Sequence, residues 1–267
     1  MLKLTVGGRL TNDGDICADG NDEGKTANQN SAGGTGGAID ITAGSIAGAG
    51  TIRADGGYIT NWRGTGGRVA VKLTQTGADF SAYTGAISAS GRSDTGAQIP
   101  STRDGSAGSV YLQTAAEGEK KGTLRIFMTE GNRSVYNANW TDIVSTGLAG
   151  SEVATGDETA DYKNVKLEIA DFGRALVNVD RLQLASVSLA TTVAKLDLDG
   201  HALKVKSMSY VSDDDGTPVV RRVASGTYTA AQLGLVGVID SSADENGENA
   251  TGTVEVLGGG GLLIIAR

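Results

Sequence analysis

Apolar and polar positions alternate along this chain in short runs, and in the first half those runs repeat. Gly8-Arg9-Leu10-Thr11-Asn12-Asp13-Gly14-Asp15-Ile16-Cys17-Ala18-Asp19-Gly20 aligns with Gly44-Ser45-Ile46-Ala47-Gly48-Ala49-Gly50-Thr51-Ile52-Arg53-Ala54-Asp55-Gly56 at an offset of 36 residues, 8 to 44. A third copy, Gly85-Ala86-Ile87-Ser88-Ala89-Ser90-Gly91, places Ile87 35 residues beyond Ile52. A second period-2 element alternates with these copies: Gly37-Ala38-Ile39-Asp40-Ile41, Gly67-Arg68-Val69-Ala70-Val71 and Gly108-Ser109-Val110-Tyr111-Leu112, with Leu2-Lys3-Leu4 as a clipped first member. Alternation at period two gives each strand one apolar face. A single strand-turn-strand unit cannot bury that face alone, so successive units must stack. The predicted fold is all-β: a parallel right-handed β-helix, or β-solenoid, with Gly-rich loops over 21–36, 57–66 and 92–107.

The same alternation carries on with Leu124, Ile126 and Met128 in phase. It weakens over 137–162, where Trp140 and Ile143 are the packing candidates and 149–161 reads as a polar loop. It returns with Val165, Leu167 and Ile169, then Leu182 and Leu184, then Leu196, Leu198, Leu203 and Val205, interrupted by the tight-turn signal Asp199-Gly200-His201. Thr227-Tyr228-Thr229-Ala230-Ala231-Gln232-Leu233-Gly234 combines a threonine cap, helix formers and a closing Gly, which predicts one short helical turn. Thr253 to Leu257 reads as a strand, and Leu262-Leu263-Ile264-Ile265 is apolar on both faces and needs cover. The expected organisation is 1–136 as Gly-rich coils of about 36 residues, 137–162 as a loop or insert, 163–211 as further β-coils, and 212–267 as a small C-terminal cap or assembly segment.

Composition sharpens this picture. Gly is 41 of 267 residues against only 2 Pro, which fits many tight turns rather than a disordered linker. Aromatics are 4%, so the core falls to Val, Ile, Leu and Ala. A net charge of −8 argues against a nucleic-acid partner and fits either a soluble, self-repelling surface or one that collects cations. Cys17 is the single cysteine, so no intrachain disulfide braces the fold. No apolar run reaches the roughly 18 residues of a membrane-spanning helix. Met1-Leu2-Lys3-Leu4-Thr5-Val6 alternates like a strand and lacks a signal-peptide pattern. The expectation is a mature piece or fragment of a longer parent chain.

Three C-terminal segments carry a resemblance. Lys195-Leu196-Asp197-Leu198-Asp199-Gly200-His201-Ala202-Leu203-Lys204-Val205, Ser225-Gly226-Thr227-Tyr228-Thr229-Ala230-Ala231-Gln232-Leu233 and Gly252-Thr253-Val254-Glu255-Val256-Leu257 resemble the ends of autotransporter-like β-strand repeat proteins of bacterial surfaces. Asp199 stands where that family usually has Asn, and both suit a turn. The resemblance covers about the last quarter closely and the rest in style. It implies an extracellular or cell-surface β-helix with an adhesive, structural or passenger role, and no catalytic residue.

Candidate chemistry is concentrated in carboxylates. Asp13, Asp15, Asp19, Asp22 and Glu23 cluster in the first repeat, Asp213-Asp214-Asp215 form a second group, and Asp240, Asp244, Glu245 and Glu248 a third. Calcium prefers several oxygens from loops, so Asp13, Asp15, Asp19, Asp22, Asp213 and Asp215 are the calcium candidates, although none follows a known calcium-loop spacing. No other cofactor is expected. Tyr58, Trp62 and Arg63 share one loop and are the candidates for glycan binding. His201 sits in a turn, with no Ser-His-Asp set around it. The Gly runs lack the Lys-Ser/Thr of a phosphate loop and the helix of a dinucleotide fingerprint.

The leading expectation is a non-enzymatic structural module. Its exposed first strand (Leu2, Leu4, Val6) meets the apolar run Leu262, Leu263, Ile264 and Ile265 of a second copy, head to tail, in a filament. An adhesin or glycan-binding stalk is the alternative, and a β-helix polysaccharide lyase or hydrolase stands behind both.

Overall fold

The computed structural model of the protein describes residues 1–22, 33–58, 63–92, 105–128, 141–142, 162–242 and 250–258. Over these residues the chain is all-β, and most neighbouring strands run parallel. Each turn of the repeat contributes a long strand and a short one: β1 (Leu2–Thr11) and β2 (Asp15–Cys17), β3 (Ala38–Ala47) and β4 (Thr51–Arg53), β5 (Arg68–Leu73) and β6 (Ala86–Ser88), then β7 (Ser109–Gln113). Like pairs with like. Leu10 lies beside Ile46, Ile16 beside Ile52, and Ile52 beside Ile87, so the aliphatic positions aligned by the repeat are cross-strand neighbours. Ile39, Ile41, Ile46 and Ile52 are fully buried. Each contributes about 1.5–3 kcal/mol of burial, and β-branched side chains suit the pleated surface that they fill.

Behind these strands the glycine-rich segments pack backbone on backbone. The Gly57 N–H donates to the Gly34 carbonyl at 2.8 Å, and the Gly64 N–H donates to the Gly57 carbonyl at 2.9 Å. A Cβ on Gly64 would stand 1.9 Å from the Gly34 oxygen. Only glycine fits there.

Parallel winding throughout was the sequence expectation, and it is corrected after Gln113. The connection to β8 (Thr123–Met128) is a tight reversal with Gly118 and Lys120 at positive φ, and β8 returns antiparallel to β7. The reversal also exchanges the faces of the sheet. Val110, which faces the first core, is paired with Arg125, whereas Tyr111 is paired with Leu124. Ile39, Val69 and Val110 thus belong to one hydrophobic core, and Tyr111, Leu124 and Ile126 to another.

The second core is wrapped by β8, β9 (Thr141–Asp142), β10 (Lys166–Asp171), β11 (Arg174–Leu176), β12 (Arg181–Leu189), β13 (Lys195–Asp197), β14 (Ala202–Asp214), β15 (Thr217–Arg222), β16 (Gly226–Thr229), α1 (Ala230–Leu233), β17 (Val238–Ile239) and β18 (Thr253–Val256). One sheet runs β8-β10-β12-β14-β18 in parallel, and another runs β9-β11-β13-β17. Leu167, Leu182, Leu184, Leu203, Val205 and Val254 stack inside it. The winding ends where β16 closes antiparallel on β18 and β14 folds back on β15. The threonine-capped turn is present: the Thr229 hydroxyl accepts from the Gln232 N–H and the Gln232 side chain accepts from the Thr229 N–H. Of the expected insert 137–162, only 141–142 and 162 lie among the described residues.

Candidate functional site

The acidic cluster of the first repeat is arranged along the stacked strands rather than around a point. The Asp13 carboxylate accepts from the Ala49 N–H at 3.0 Å, Asp15 accepts from the Thr51 hydroxyl, Asp19 accepts from the Asp55 N–H at 2.9 Å, and Asp22 accepts from the Tyr58 N–H. Every one of these spans 36 residues. Asp19 also holds Arg53 at 2.7 Å, and Asp55 repeats the device by accepting from the Ser90 N–H. Asp213 caps the β14–β15 turn by accepting from the Gly216 N–H at 2.7 Å, next to Asp215 at positive φ. Among the described residues, no three His, Cys, Asp or Glu side chains come together as a metal-binding group.

Tyr58 is 39% exposed, and the Arg63 guanidinium lies 5.8 Å from the centre of its ring. Trp62 and the run Leu262, Leu263, Ile264 and Ile265 lie outside the described residues. Leu2, Leu4 and Val6 lie on β1, the first strand of the long sheet, with Leu4 and Val6 packed against the first core. His201 is a turn residue with Nδ1 3.6 Å from the Asp180 carboxylate.

Stacking of the second set of strands builds a groove that sequence reasoning missed. β12, β14 and β18 each carry an outward-inward-outward-inward tetrad: Arg181-Leu182-Gln183-Leu184, Ala202-Leu203-Lys204-Val205 and Thr253-Val254-Glu255-Val256. The register puts Arg181 beside Ala202 and Thr253, and Gln183 beside Lys204 and Glu255. Thr227 of β16 extends the second column. These side chains line a cavity of about 550 Å³. Within it Lys204 Nζ and Glu255 Oε2 are 2.9 Å apart. Arg181 is exposed and forms no ion pair among the described residues, so beside the Lys204–Glu255 pair it adds one positive charge to a wall of amide, hydroxyl and carboxylate groups. The signal was present in the three matching tetrads, but only the register shows that they share one wall.

Strand β18 is tied down at its start. The Asp240 carboxylate accepts from the Gly200 N–H at 2.8 Å, from the Ser242 N–H and hydroxyl at 3.1 and 2.6 Å, and from the Gly252 N–H at 2.7 Å. Burial pushes its pKa up, and these four bonds outweigh burial and hold it below the ordinary aspartate value.

No family model matches the sequence. No solved structure matches it either. The chain is similar to pectate lyase 2 of Ambrosia artemisiifolia, 28% identical over 130 residues, which is 47% of this chain and 30% of that protein's length. This corrects the expectation of a non-enzymatic protein, because the likeness is to an enzyme. The likeness fits the β-helix-like, largely parallel strand arrangement. It lends no support to the bacterial-surface, adhesive or filament readings. Among the described residues, no helix is long and apolar enough to cross a membrane.

Proposed function

We propose that the chain is a right-handed parallel β-helix that cleaves an acidic polysaccharide by β-elimination, with a uronate ring in the groove of β12, β14 and β18. The observation that carries this reading is Arg181, without an ion pair among the described residues, in a concave wall of stacked strands. Parallel crossovers are right-handed in nearly all proteins, which supports the stated hand. The likeness to a pectate lyase supports the reaction class.

The chemistry assigns the groove its roles. Elimination removes the C5 proton, breaks the C4–O bond and forms a C4=C5 double bond, and the expelled oxygen leaves with the neighbouring sugar and takes a proton from solvent. Arg181 binds the substrate carboxylate, since a guanidinium fork suits a carboxylate. Its charge also steadies the negative charge that develops beside C5. Glu255, paired with Lys204 at 2.9 Å, takes the C5 proton. Gln183 and Thr227 offer hydrogen bonds to ring hydroxyls.

The test incubates the full chain with polygalacturonate and with a neutral galactan, and follows the ultraviolet absorbance of unsaturated uronate ends. Product from the acidic polymer alone is expected, with losses of at least about tenfold in Arg181→Ala and Glu255→Gln. Binding without product would refute the elimination step. Equal binding of both polymers, or indifference to Arg181→Ala, would refute the acidic substrate and the groove together.

A further inference from the structure

The first core is open on the side of the first repeat. β1 and β2 are each the first strand of their sheet, so among the described residues each is paired on one side only. The apolar side chains show the consequence. Leu2 is 42% exposed, whereas its register partner Ile39 is 0% exposed. Leu4, Val6, Leu10 and Ile16 are half-buried, whereas their partners Ile41, Ala43, Ile46 and Ile52 are buried. The first repeat covers the second and is not itself covered.

β1 is also a long edge with little to block it. Leu2–Thr11 contains no proline, and its register shift falls between Val6 and Arg9, beyond the apolar positions Leu2, Leu4 and Val6. Such an edge is a template for strand addition, provided that the added strand brings apolar side chains to the core. The sequence holds a segment of that kind outside the described residues. Gly259, Gly260 and Gly261 lead from β18 into Leu262-Leu263-Ile264-Ile265, where both sets of alternate positions are apolar. Whichever set faces the core of the receiving sheet, it brings only aliphatic groups. The reach of the chain decides whose sheet that is. From β18 to β1 the path crosses eight strand spacings, about 38 Å. Ile265 is seven residues past Gly258 and so stands at most about 25 Å from it. The run cannot reach β1 of its own chain.

We infer that the run Leu262 to Ile265 of one copy adds as a parallel strand to β1 of a second copy and covers the open side of its first core. Parallel addition continues the pairing of β1 with β3. It also directs Arg267 toward the end of β1 that leads to Asp13 and Asp15, so opposite charges meet at that corner. The contact is heterologous: each copy gives its run to one neighbour and receives a run from another, so species larger than a dimer form. Strand addition at β1 is independent of the groove, and its readouts do not use polysaccharide cleavage.

The experiment follows the full chain by sedimentation velocity from micromolar to millimolar concentration, where species beyond the monomer are expected to grow. Leu263→Asp combined with Ile264→Asp puts a charge on each face of the run and is expected to leave monomers. A synthetic peptide of residues 259–267 is then titrated into that variant. Saturable binding is expected, with slowed amide exchange across β1 and no change across β18. The same peptide carrying both aspartates is expected to bind at least about tenfold more weakly. Leu2→Lys, at an exposed position of the receiving strand, is expected to weaken the unaltered peptide about fivefold. The inference is overturned if the full chain stays monomeric over the whole range, if the double variant assembles as the parent does, or if the peptide protects a strand other than β1. A lower melting midpoint of the double variant in dilute solution would place the run on its own chain and would overturn it too.

Discussion

One column of isoleucines tests the stacked arrangement directly. Ile16, Ile52 and Ile87 are register partners on three successive short strands, yet their surroundings differ. Ile52 is 0% exposed, enclosed by a strand on either side, whereas Ile16 lies on the first strand of its sheet and is only partly covered. Truncating a fully enclosed isoleucine costs about 2–5 kcal/mol, the sum of lost burial and the cavity left behind. At Ile16 one side of the column is open, so the neighbours and water fill the space and the cavity contribution largely disappears. The expected loss there is about 1 kcal/mol. Ile52→Ala and Ile16→Ala should therefore differ by about 1–4 kcal/mol in urea unfolding, with similar slopes. Repeat arrays can lose cooperativity, so amide exchange of β3 and β5 should be followed in parallel. Equal losses at the two positions would refute the account, because they would mean that Ile52 is no better enclosed than the end of the column.

Other perturbations probe separate parts of the fold. Gly64→Ala would place a Cβ 1.9 Å from the Gly34 oxygen, so the backbone layers must part. The expected loss is about 3 kcal/mol or more by thermal or urea unfolding, and a fully stable variant would refute the close packing of the loops. Tyr83→Phe removes the hydroxyl that donates to the Gly50 carbonyl at 2.7 Å and accepts from Asn12. It is expected to cost about 1–2 kcal/mol in the first core, measured by the urea midpoint. Acid should release the clasp on β18. Asp240 is held below its ordinary value of 3.8 in the fold, so its stabilising contribution is complete above that value and is lost as pH falls below it. An Asp240→Asn variant should flatten the midpoint-versus-pH curve in that window, and an unchanged curve would count against the clasp.

The periodic parts of the fold were legible because period and face are both written in the sequence. Ile16, Ile52 and Ile87 share a sequence frame, and the strands pair them. The reversal after Gln113 was not legible. Leu124, Ile126 and Met128 alternate as Val69 and Val71 do, and period-two alternation says that one face is apolar without saying on which side of an existing sheet it lies. The partners of the acidic residues were not legible for a related reason. Asp13, Asp15, Asp19 and Asp22 are close in sequence, but the 36-residue repeat gives each carboxylate a partner in the following repeat, the N–H of Ala49, Asp55 or Tyr58 or the hydroxyl of Thr51. Asp197, fully buried on β13, left no signal at all, since an aspartate between two leucines reads as a solvent-facing position. Its Oδ1 accepts from the Ser241 N–H at 2.9 Å, a partner remote in sequence.

The groove follows from the same stacking. In an isolated strand, Arg181, Gln183, Lys204 and Glu255 would each read as an ordinary solvated residue. Parallel pairing sets them in columns with neighbouring strands about 4.8 Å apart, so the column Gln183, Lys204, Glu255, Thr227 extends on the order of 14 Å. Such a column offers one polar group per strand spacing to a ligand that is itself a linear repeat, which an extended polysaccharide is and a compact metabolite is not. The charges narrow the choice further. Lys204 and Glu255 offset one another, whereas Arg181 in the adjacent column forms no ion pair among the described residues, and the proposed function assigns it the carboxylate of an acidic polysaccharide, with hydroxyls at the other positions. Reversing that charge with Arg181→Glu should therefore cost more binding of polygalacturonate than Arg181→Ala, and should leave binding of a neutral galactan unaffected.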